Sequence, residues 1–224
     1  MSEELGKIEK HTVDEFKGGR KLFFVPMVIS GKELQLEILV KIDHYWDEVD
    51  SQLSGLEAKL GEIKHIYQEL IPEDGEPGIN LIKDLDIGSY NLVHNRFEKG
   101  AKFEALEDKE LLAELMDWSR CISSGLQSQR AFTKIYELYD EANTRRNETI
   151  TKKLNDSLKP DESGILIMAE GHQIKFSPDI KLFYIAPPSL DGIKRWMRDY
   201  DAKIKEENAR ASQTQNPAAT NNQL

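Results

Sequence analysis

The chain has 224 residues, 39% of them hydrophobic and 31% charged, with a formal net charge of −10. Because phosphate backbones are bound by clustered Lys and Arg, this acidic balance disfavours nucleic acids and anionic membrane surfaces as partners. No apolar run approaches the ~18–20 residues that span a bilayer, and the single cysteine, Cys121, excludes an intrachain disulfide and a multi-cysteine zinc site. The length suits one α/β domain or two small ones. The first residues lack the apolar core of a signal peptide, so we expect a cytoplasmic protein.

The first third of the chain predicts a leader, a strand and one long helix. Residues 1–19 are polar and end in two glycines, which indicates a flexible leader. Residues 21–29 (KLFFVPMVI) are apolar and rich in strand formers, and Pro26 indicates an irregular or edge position. Residues 33–60 then follow a helical period, with apolar residues three and four apart at Ile38, Ile42, Tyr45, Val49, Leu53, Leu56 and Leu60.

The predicted helix 33–60 is long for a small domain. At 1.5 Å per residue it would extend about 42 Å, which is more than a four-stranded sheet covers. Uncovered apolar surface tends to become an interface. We therefore expect part of this helix to contact a second copy or another protein, centred on Tyr45, Val49 and Leu53. In the alternative, the helices from 79 to 158 fold back and bury the same residues within one chain.

The rest of the chain predicts three more strands and several helices. A strand over residues 63–71 is closed by a loop rich in Pro and Gly over residues 72–78. The remaining elements are helices at about 79–99, 107–127 and 130–158, strands at 164–169 and 181–186, a final helix capped by Ser189, and a disordered tail over 206–224.

This order of elements predicts an α/β fold with a small, mostly parallel sheet flanked by long helices. We expect a single domain over residues 20–205, with a helical insertion at about 79–158. One connection, from residue 170 to residue 180, is barely long enough for a crossover between parallel strands. The last two strands could therefore be antiparallel neighbours.

Two titratable residues lie at or just after the ends of predicted strands, at the edge where ligands bind in α/β folds. The apolar run 164–169 ends in a Glu-Gly-His turn, which would place His172 there as a general base or metal ligand. The alternative is a loop histidine that hydrogen-bonds to backbone. Glu69 ends the second strand, where a carboxylate could ligate a metal or serve in acid–base catalysis. The alternative for Glu69 is an exposed glutamate at a strand end.

Arg146 is the third candidate because of its helical phase. It belongs to a stripe that advances by four residues through Ala142, Arg146, Ile150, Leu154 and Leu158, so its side chain is expected to face the interior. An unpaired buried charge is prohibitively costly. We therefore expect Arg146 to be buried and paired with a carboxylate, either as a structural salt bridge or as a clamp for an anion or a transition state.

Together these residues predict a catalytic site in which His172, Arg146 and Glu69 line one pocket at the carboxyl edge of the sheet. Such a site could use a divalent metal as cofactor, but the sequence does not identify one. The chain contains none of the motifs HExxH, GxSxG and GxGxxG, nor a Walker-type loop. The substrate is likewise not indicated.

Taken in order, four short motifs resemble those of the TraB/TIKI/erythromycin-esterase-like superfamily. They are the strand that ends in Glu69, the helix start Leu106-Glu107-Asp108, the helical pair Arg146-Asn147 and the turn Gly171-His172. The resemblance spans about residues 20–186. It implies related α/β halves and metal-dependent hydrolase chemistry.

The first motif of that family differs in this chain. The family has a Gly-x-x-His turn after its first strand, whereas residues 25–29 here are Val-Pro-Met-Val-Ile, without a histidine. The resemblance therefore implies a degenerate relative that lacks one metal ligand and binds a small ligand or a partner. The competing hypothesis is a non-catalytic protein–protein interaction module that uses the helix 33–60.

Overall fold

The computed structural model describes residue 16, residues 18–29 and residues 35–214 of the chain. Within these ranges the strands are β1 (Arg20–Pro26), β2 (His65–Gln68), β3 (Lys102–Phe103), β4 (Ser163–Met168) and β5 (Ile180–Tyr184). The helices are α1 (Leu36–Leu60), α2 (Gly75–Leu85), α3 (Ile87–Phe97), α4 (Lys109–Ser123), α5 (Gln129–Ser157) and α6 (Pro188–Thr214). Most of the predicted leader lies outside the described residues, as do positions 215–224 of the predicted tail. Helix α6 continues past residue 206, where the sequence predicts that the tail begins.

All five strands are parallel and form one sheet in the order β3-β2-β4-β1-β5. Helices flank this sheet, and the predicted α/β class with a single, mostly parallel sheet is confirmed. The prediction for the last two strands is wrong. Strands β4 and β5 are not antiparallel neighbours, because both pair in parallel with β1 on its opposite sides.

A strap that is neither helix nor strand, residues 169–179, makes the connection from β4 to β5. Its Ile174 and Phe176 belong to the same apolar cluster as Leu22 and Phe24 of β1, so the strap crosses the sheet over β1. An extended chain advances ~3.3 Å per residue, as a strand does. The strap has to return along the length of β4, which has only six residues. The eleven residues 169–179 are enough to cover that distance without a helix.

Two further details of the sheet differ from the sequence prediction. The edge position that Pro26 suggests is wrong, because β1 lies between β4 and β5 and Pro26 is its last residue. The ladder continues beyond Pro26 through a 2.9 Å hydrogen bond from the N–H of Met27 to the carbonyl of Met168. Strand β3 was not predicted, because its two residues are too few to show a period.

Alternating side chains distribute the strands between two apolar layers. Phe23 and Val25 of β1 belong to a core that they share with residues of α1, α2, α3 and α6. Leu22 and Phe24 belong to the opposite core, which α5 and the strap cover. Among the described helices, none is long and apolar enough to cross a membrane.

The apolar stripe of α1 is buried within the single chain. Tyr45, Val49 and Leu53 are each 0% exposed, and α1 packs against α3 and α6. The hydroxyl of Tyr45 also donates a 2.5 Å hydrogen bond to the carbonyl of Pro26. The predicted interface centred on these residues is therefore wrong, since they are core. Burial within one chain, the alternative, is what the fold shows, with α6 contributing beside α3.

His65, the first residue of β2, joins the segments that follow β3 and precede β4. Its Nδ1 lies 2.6 Å from Oε1 of Glu104, and its Nε2 lies 2.8 Å from Oε2 of Glu162. The bond to Glu104 raises the pKa of His65, and with the bond to Glu162 it outweighs the opposing effect of burial. The bond from His65 lowers the pKa of Glu104. Burial acts to raise the pKa of Glu162, but hydrogen bonds from the Lys159 backbone and from His65 lower it overall.

We predict that this contact makes the stability of the protein fall as the pH rises above neutrality. A raised histidine pKa contributes stability that is complete below the unfolded value of 6.5 and is lost as the pH rises through the folded value. The two glutamates act in the opposite sense, and their contribution is lost as the pH falls below 4.5. Urea unfolding at a series of pH values above 6.5 measures the slope. His65→Gln should remove this slope. The control is His94→Gln, which removes a ring stacked on Tyr90 and should leave the slope unchanged. Equal slopes in the native protein and both variants would contradict the prediction.

Candidate functional site

Glu69 and Leu70 leave β2 at the carboxyl edge of the sheet in a strained turn. Glu69 continues the ladder through a 2.9 Å hydrogen bond from its N–H to the carbonyl of Ile167. Leu70 then has a φ of 70°, in the left-handed region, which costs a residue with a side chain roughly 1–2 kcal/mol. Its N–H donates a 3.1 Å hydrogen bond to Oε1 of Glu107. A carboxylate from a distant part of the chain therefore holds the turn.

The guanidinium of Arg146 lies between two buried carboxylates. Its Nε donates to Oε2 of Glu107 at 2.8 Å, and its Nη2 donates to Oε1 of Glu69 at 2.8 Å and to Oε1 of Glu107. The second oxygen of Glu69 accepts the N–H of Ala169 at 2.8 Å. These three side chains, which we call the Arg146 cluster, join the ends of β2 and β4 to α5 and to the β3–α4 loop.

The prediction that Arg146 is buried and paired with a carboxylate is confirmed. Its exposed fraction is 7%, and it forms ion pairs with both Glu69 and Glu107. Burial acts to lower the pKa of Arg146, but the hydrogen bonds and charges of Glu107 and Glu69 outweigh it and raise this pKa. The cluster therefore keeps a charged guanidinium, and a catalytic role for it remains a prediction.

Glu107 is the member of the cluster that was not placed among the predicted site residues. Its acidic neighbours suggest helix capping, and Asp108 does cap α4, because its Oδ1 accepts the N–H groups of Glu110 and Leu111 at 3.0 Å each. Glu107 instead faces the interior and is 1% exposed. Lys153 fixes the loop by donating to the carbonyl of Glu107 at 2.6 Å. The only hint in the sequence is the apolar Leu106 beside Glu107, which is too little to distinguish Glu107 from its acidic neighbours.

His172 lies at the same edge, at the start of the strap. Its ring packs against Phe24 and Phe176, with centroid distances of 5.0 and 5.6 Å. Burial lowers the pKa of His172, against the opposing charge of Glu69. Its Nδ1 accepts the N–H of Ile174 at 3.3 Å, so the ring proton of the neutral form is on Nε2. As it stands, His172 is a hydrogen-bond donor, and its Nδ1 is not free to act as a general base.

The carboxyl end of β1 carries no titratable side chain. Residues 27–29 are Met-Val-Ile, and Val28 is buried. Over the described part of the chain, no group of three or more His, Cys, Asp or Glu side chains could hold a metal ion. Both carboxylates of the Arg146 cluster have the guanidinium as their cation instead.

A groove of about 630 Å³ runs along α5 beside the strap. Amide and hydroxyl side chains line it, together with acidic and basic residues that balance in charge. Within the described part of the chain, the Oδ1 atom of one lining residue, Asn155, is buried and has no hydrogen-bond partner. The three predicted site residues do not line this groove. However, Asn147 and Gln173, which directly follow Arg146 and His172 in the chain, do line it.

Comparison with known proteins does not assign the chain to a family. No protein-family model, curated protein or solved structure matches it. The chemistry of the site therefore has to be argued from its own residues. These are a closed ion cluster, a neutral histidine and an adjoining polar groove.

Proposed function

We propose that this edge of the sheet is a degenerate metallohydrolase-like ligand site on a TraB/TIKI-like scaffold, which binds a small neutral polar ligand. The observation that carries the proposal is that one buried guanidinium satisfies both Glu69 and Glu107. A metal ion would have to lie between the two carboxylates that ligate it. Arg146 fills that position here, so binding without metal-dependent hydrolysis is the activity that the arrangement favours.

Charge and hydrogen-bonding capacity define the class of ligand. Two carboxylates and one guanidinium leave one negative charge in excess, which disfavours an anion. Across the described residues, Nη1 of Arg146 has no hydrogen-bond acceptor. Nε2 of His172 is also a donor, since its Nδ1 is already accepting a hydrogen bond. Neutral ligands with acceptor oxygens, such as sugar hydroxyls or amide carbonyls, fit this edge best.

The groove along α5 provides the space for such a ligand. Its volume of about 630 Å³ is within the range of small-molecule sites. The strap presents Gln173 to the groove, while the next residue, Ile174, is buried against the sheet. A donor from the ligand would also satisfy Oδ1 of Asn155, whose burial without a partner is costly.

Thermal-shift and calorimetric titration with sugars, polyols and N-acetyl amino-acid amides test the proposal. One of these probe classes is expected to raise the melting temperature of the native protein. Gln173→Ala and Asn147→Ala should each weaken its binding by about two- to tenfold, which corresponds to one lost hydrogen bond. The control Asn80→Ala removes an exposed amide from α2 and should leave binding unchanged.

Titration with Mn²⁺ tests the role assigned to Arg146. Mn²⁺ is expected to raise the melting temperature of Arg146→Ala, in which both carboxylates are free to chelate a cation, and to leave that of the native protein unchanged. Metal-dependent hydrolysis of an ester or peptide by the native protein would overturn the proposal. So would a probe whose binding is unaffected by Gln173→Ala and Asn147→Ala.

A further inference from the structure

Another cavity, which we call the α1–α3 pocket, lies between these two helices on the opposite side of the sheet from α5. Its volume of about 250 Å³ is below the ~300–1,000 Å³ of sites for drug-sized ligands. Its polar lining residues recur at steps of three and four, as one face of each helix requires: Asp43, Asp47 and Asp50 on α1, and Asn91 and Asn95 on α3. The pocket shares no residue with the groove or the Arg146 cluster.

The carboxylates of this pocket outnumber the cations near them. Asp50 binds Arg96 at 2.6 Å, but Arg96 also binds Glu57. Within the described ranges, Asp43 and Asp47 form no ion pair, and no Lys, Arg or His of those ranges lines the pocket. Like charges four residues apart destabilise a helix, so this spacing does not serve α1 itself. The pocket therefore favours a cation.

Trp46 adds a buried hydrogen-bond donor to the same wall. It is 4% exposed, and its Nε1 has no acceptor among the residues that the structure describes. A buried N–H without an acceptor is costly. The side of the indole that carries Nε1 lies against Gly88, where a Cβ atom would be 2.7 Å from Nε1. Because Gly88 has no side chain, the space beside Nε1 stays open toward the pocket, which both residues line.

These two features require different parts of one ligand. The aspartates attract a cation, whereas the N–H of Trp46 needs an acceptor oxygen. No three or more His, Cys, Asp or Glu side chains in the described part of the chain could hold a metal ion, so the cation is an ammonium group. An anionic oxygen would be repelled by the aspartates, so the acceptor is a neutral hydroxyl or carbonyl.

We propose that the α1–α3 pocket binds a small primary amine that carries a neutral oxygen, such as an amino alcohol or an amino sugar. The ammonium group lies between Asp43 and Asp47, and the oxygen accepts the hydrogen bond from Nε1 of Trp46. The amides of Asn91 and Asn95 face the same space and can bind further hydroxyls. This site does not depend on the function proposed for the groove along α5.

Heteronuclear NMR of the indole N–H groups tests the proposal on the full chain, with ethanolamine and glucosamine as probes. The chain has three tryptophans, and loss of a signal in Trp46→Phe identifies the resonance of Trp46. Each probe is expected to shift this resonance to a plateau, because the N–H gains an acceptor. The resonances of Trp118 and Trp196 should stay in place. A Trp46 resonance that neither probe moves would overturn the proposal, as would equal shifts of all three.

Asp43→Asn/Asp47→Asn should weaken the binding of both probes by more than about tenfold, because the ammonium group loses both charge-assisted contacts. Both side chains are exposed, so the variant is expected to fold, and its NMR spectrum verifies this. The control Asp199→Asn/Asp201→Asn makes the same change at exposed positions of α6 and should leave binding unchanged. Equal affinities in the two variants would contradict the assigned ammonium contact.

Matched compounds separate the two contacts of the ligand. Glucose lacks the ammonium group of glucosamine, and ethylamine lacks the oxygen of ethanolamine. Each should bind more weakly than its counterpart, and ethylamine should not give the shift of the Trp46 resonance that an acceptor oxygen causes. If glucose and ethylamine bound as tightly as glucosamine and ethanolamine, the pocket would not recognise this class of ligand and the proposal would be wrong.

Discussion

Arg146→Ala is expected to lower the free energy of unfolding by about 3–5 kcal/mol, the cost of removing one partner from a buried ion pair. The substitution leaves Glu69 and Glu107, which are 8% and 1% exposed, without the cation that both contact. It also removes Nε and Nη2, which donate every hydrogen bond that Arg146 makes to the two carboxylates. Urea unfolding followed by circular dichroism measures the loss.

The adjacent residue provides a matched control for this prediction. Arg145 pairs with Glu114 at 2.7 Å, but both side chains are more than a third exposed, and an exposed pair contributes about 0–1 kcal/mol. Arg145→Ala should therefore have little effect. Combining Arg146→Met with Glu69→Gln and Glu107→Gln leaves no stranded charge, and this protein should be more stable than Arg146→Ala. Equal effects of Arg145→Ala and Arg146→Ala would contradict the prediction.

Most helices were predictable because their apolar residues repeat with the helical period, and the long strands because they are short continuous apolar runs. The stripe of α1 is buried from Ile38 to Leu53, and the runs of β1 and β4 are buried from Lys21 and Ser163 onward. The predicted helix 79–99 is instead two helices, α2 and α3, which meet at Asp86.

The path of the strap was not predictable from its length alone. Its direction is set by the packing of Ile174 and Phe176 on the sheet. Such contacts cannot be predicted from the sequence, because the residues of the strap follow no regular period.

The environment of Arg146 could be predicted because helical phase alone places it among Ala142 and Ile150, which are both buried. The identity of its second partner could not. Glu107 stands in an acidic run at a helix start, where capping explains each carboxylate equally well. Only the loop that Lys153 holds against α5 shows which of them turns inward. The stripe of α1 was likewise assigned to an interface because its cover, α6, comes from the far end of the chain.

Val49→Glu is expected to lower the free energy of unfolding by more than about 4 kcal/mol, a size of effect that is exceptional for a single substitution. Val49 is 0% exposed in the core between α1 and the sheet. A carboxylate at that position would lose its hydration among apolar side chains, which costs far more than the methyl groups contributed. Chemical denaturation, compared with the native chain, measures the change.

Val40→Glu makes the same chemical change on the same helix, at a side chain that is 60% exposed. Surface substitutions of this kind usually change stability by less than about 0.5 kcal/mol, so Val40→Glu should unfold with the native chain. The difference between the two variants therefore isolates burial from helix propensity. If Val49→Glu were as stable as Val40→Glu, the stripe of α1 would be open to solvent. The prediction that α1 forms an interface centred on Tyr45, Val49 and Leu53 would then stand again.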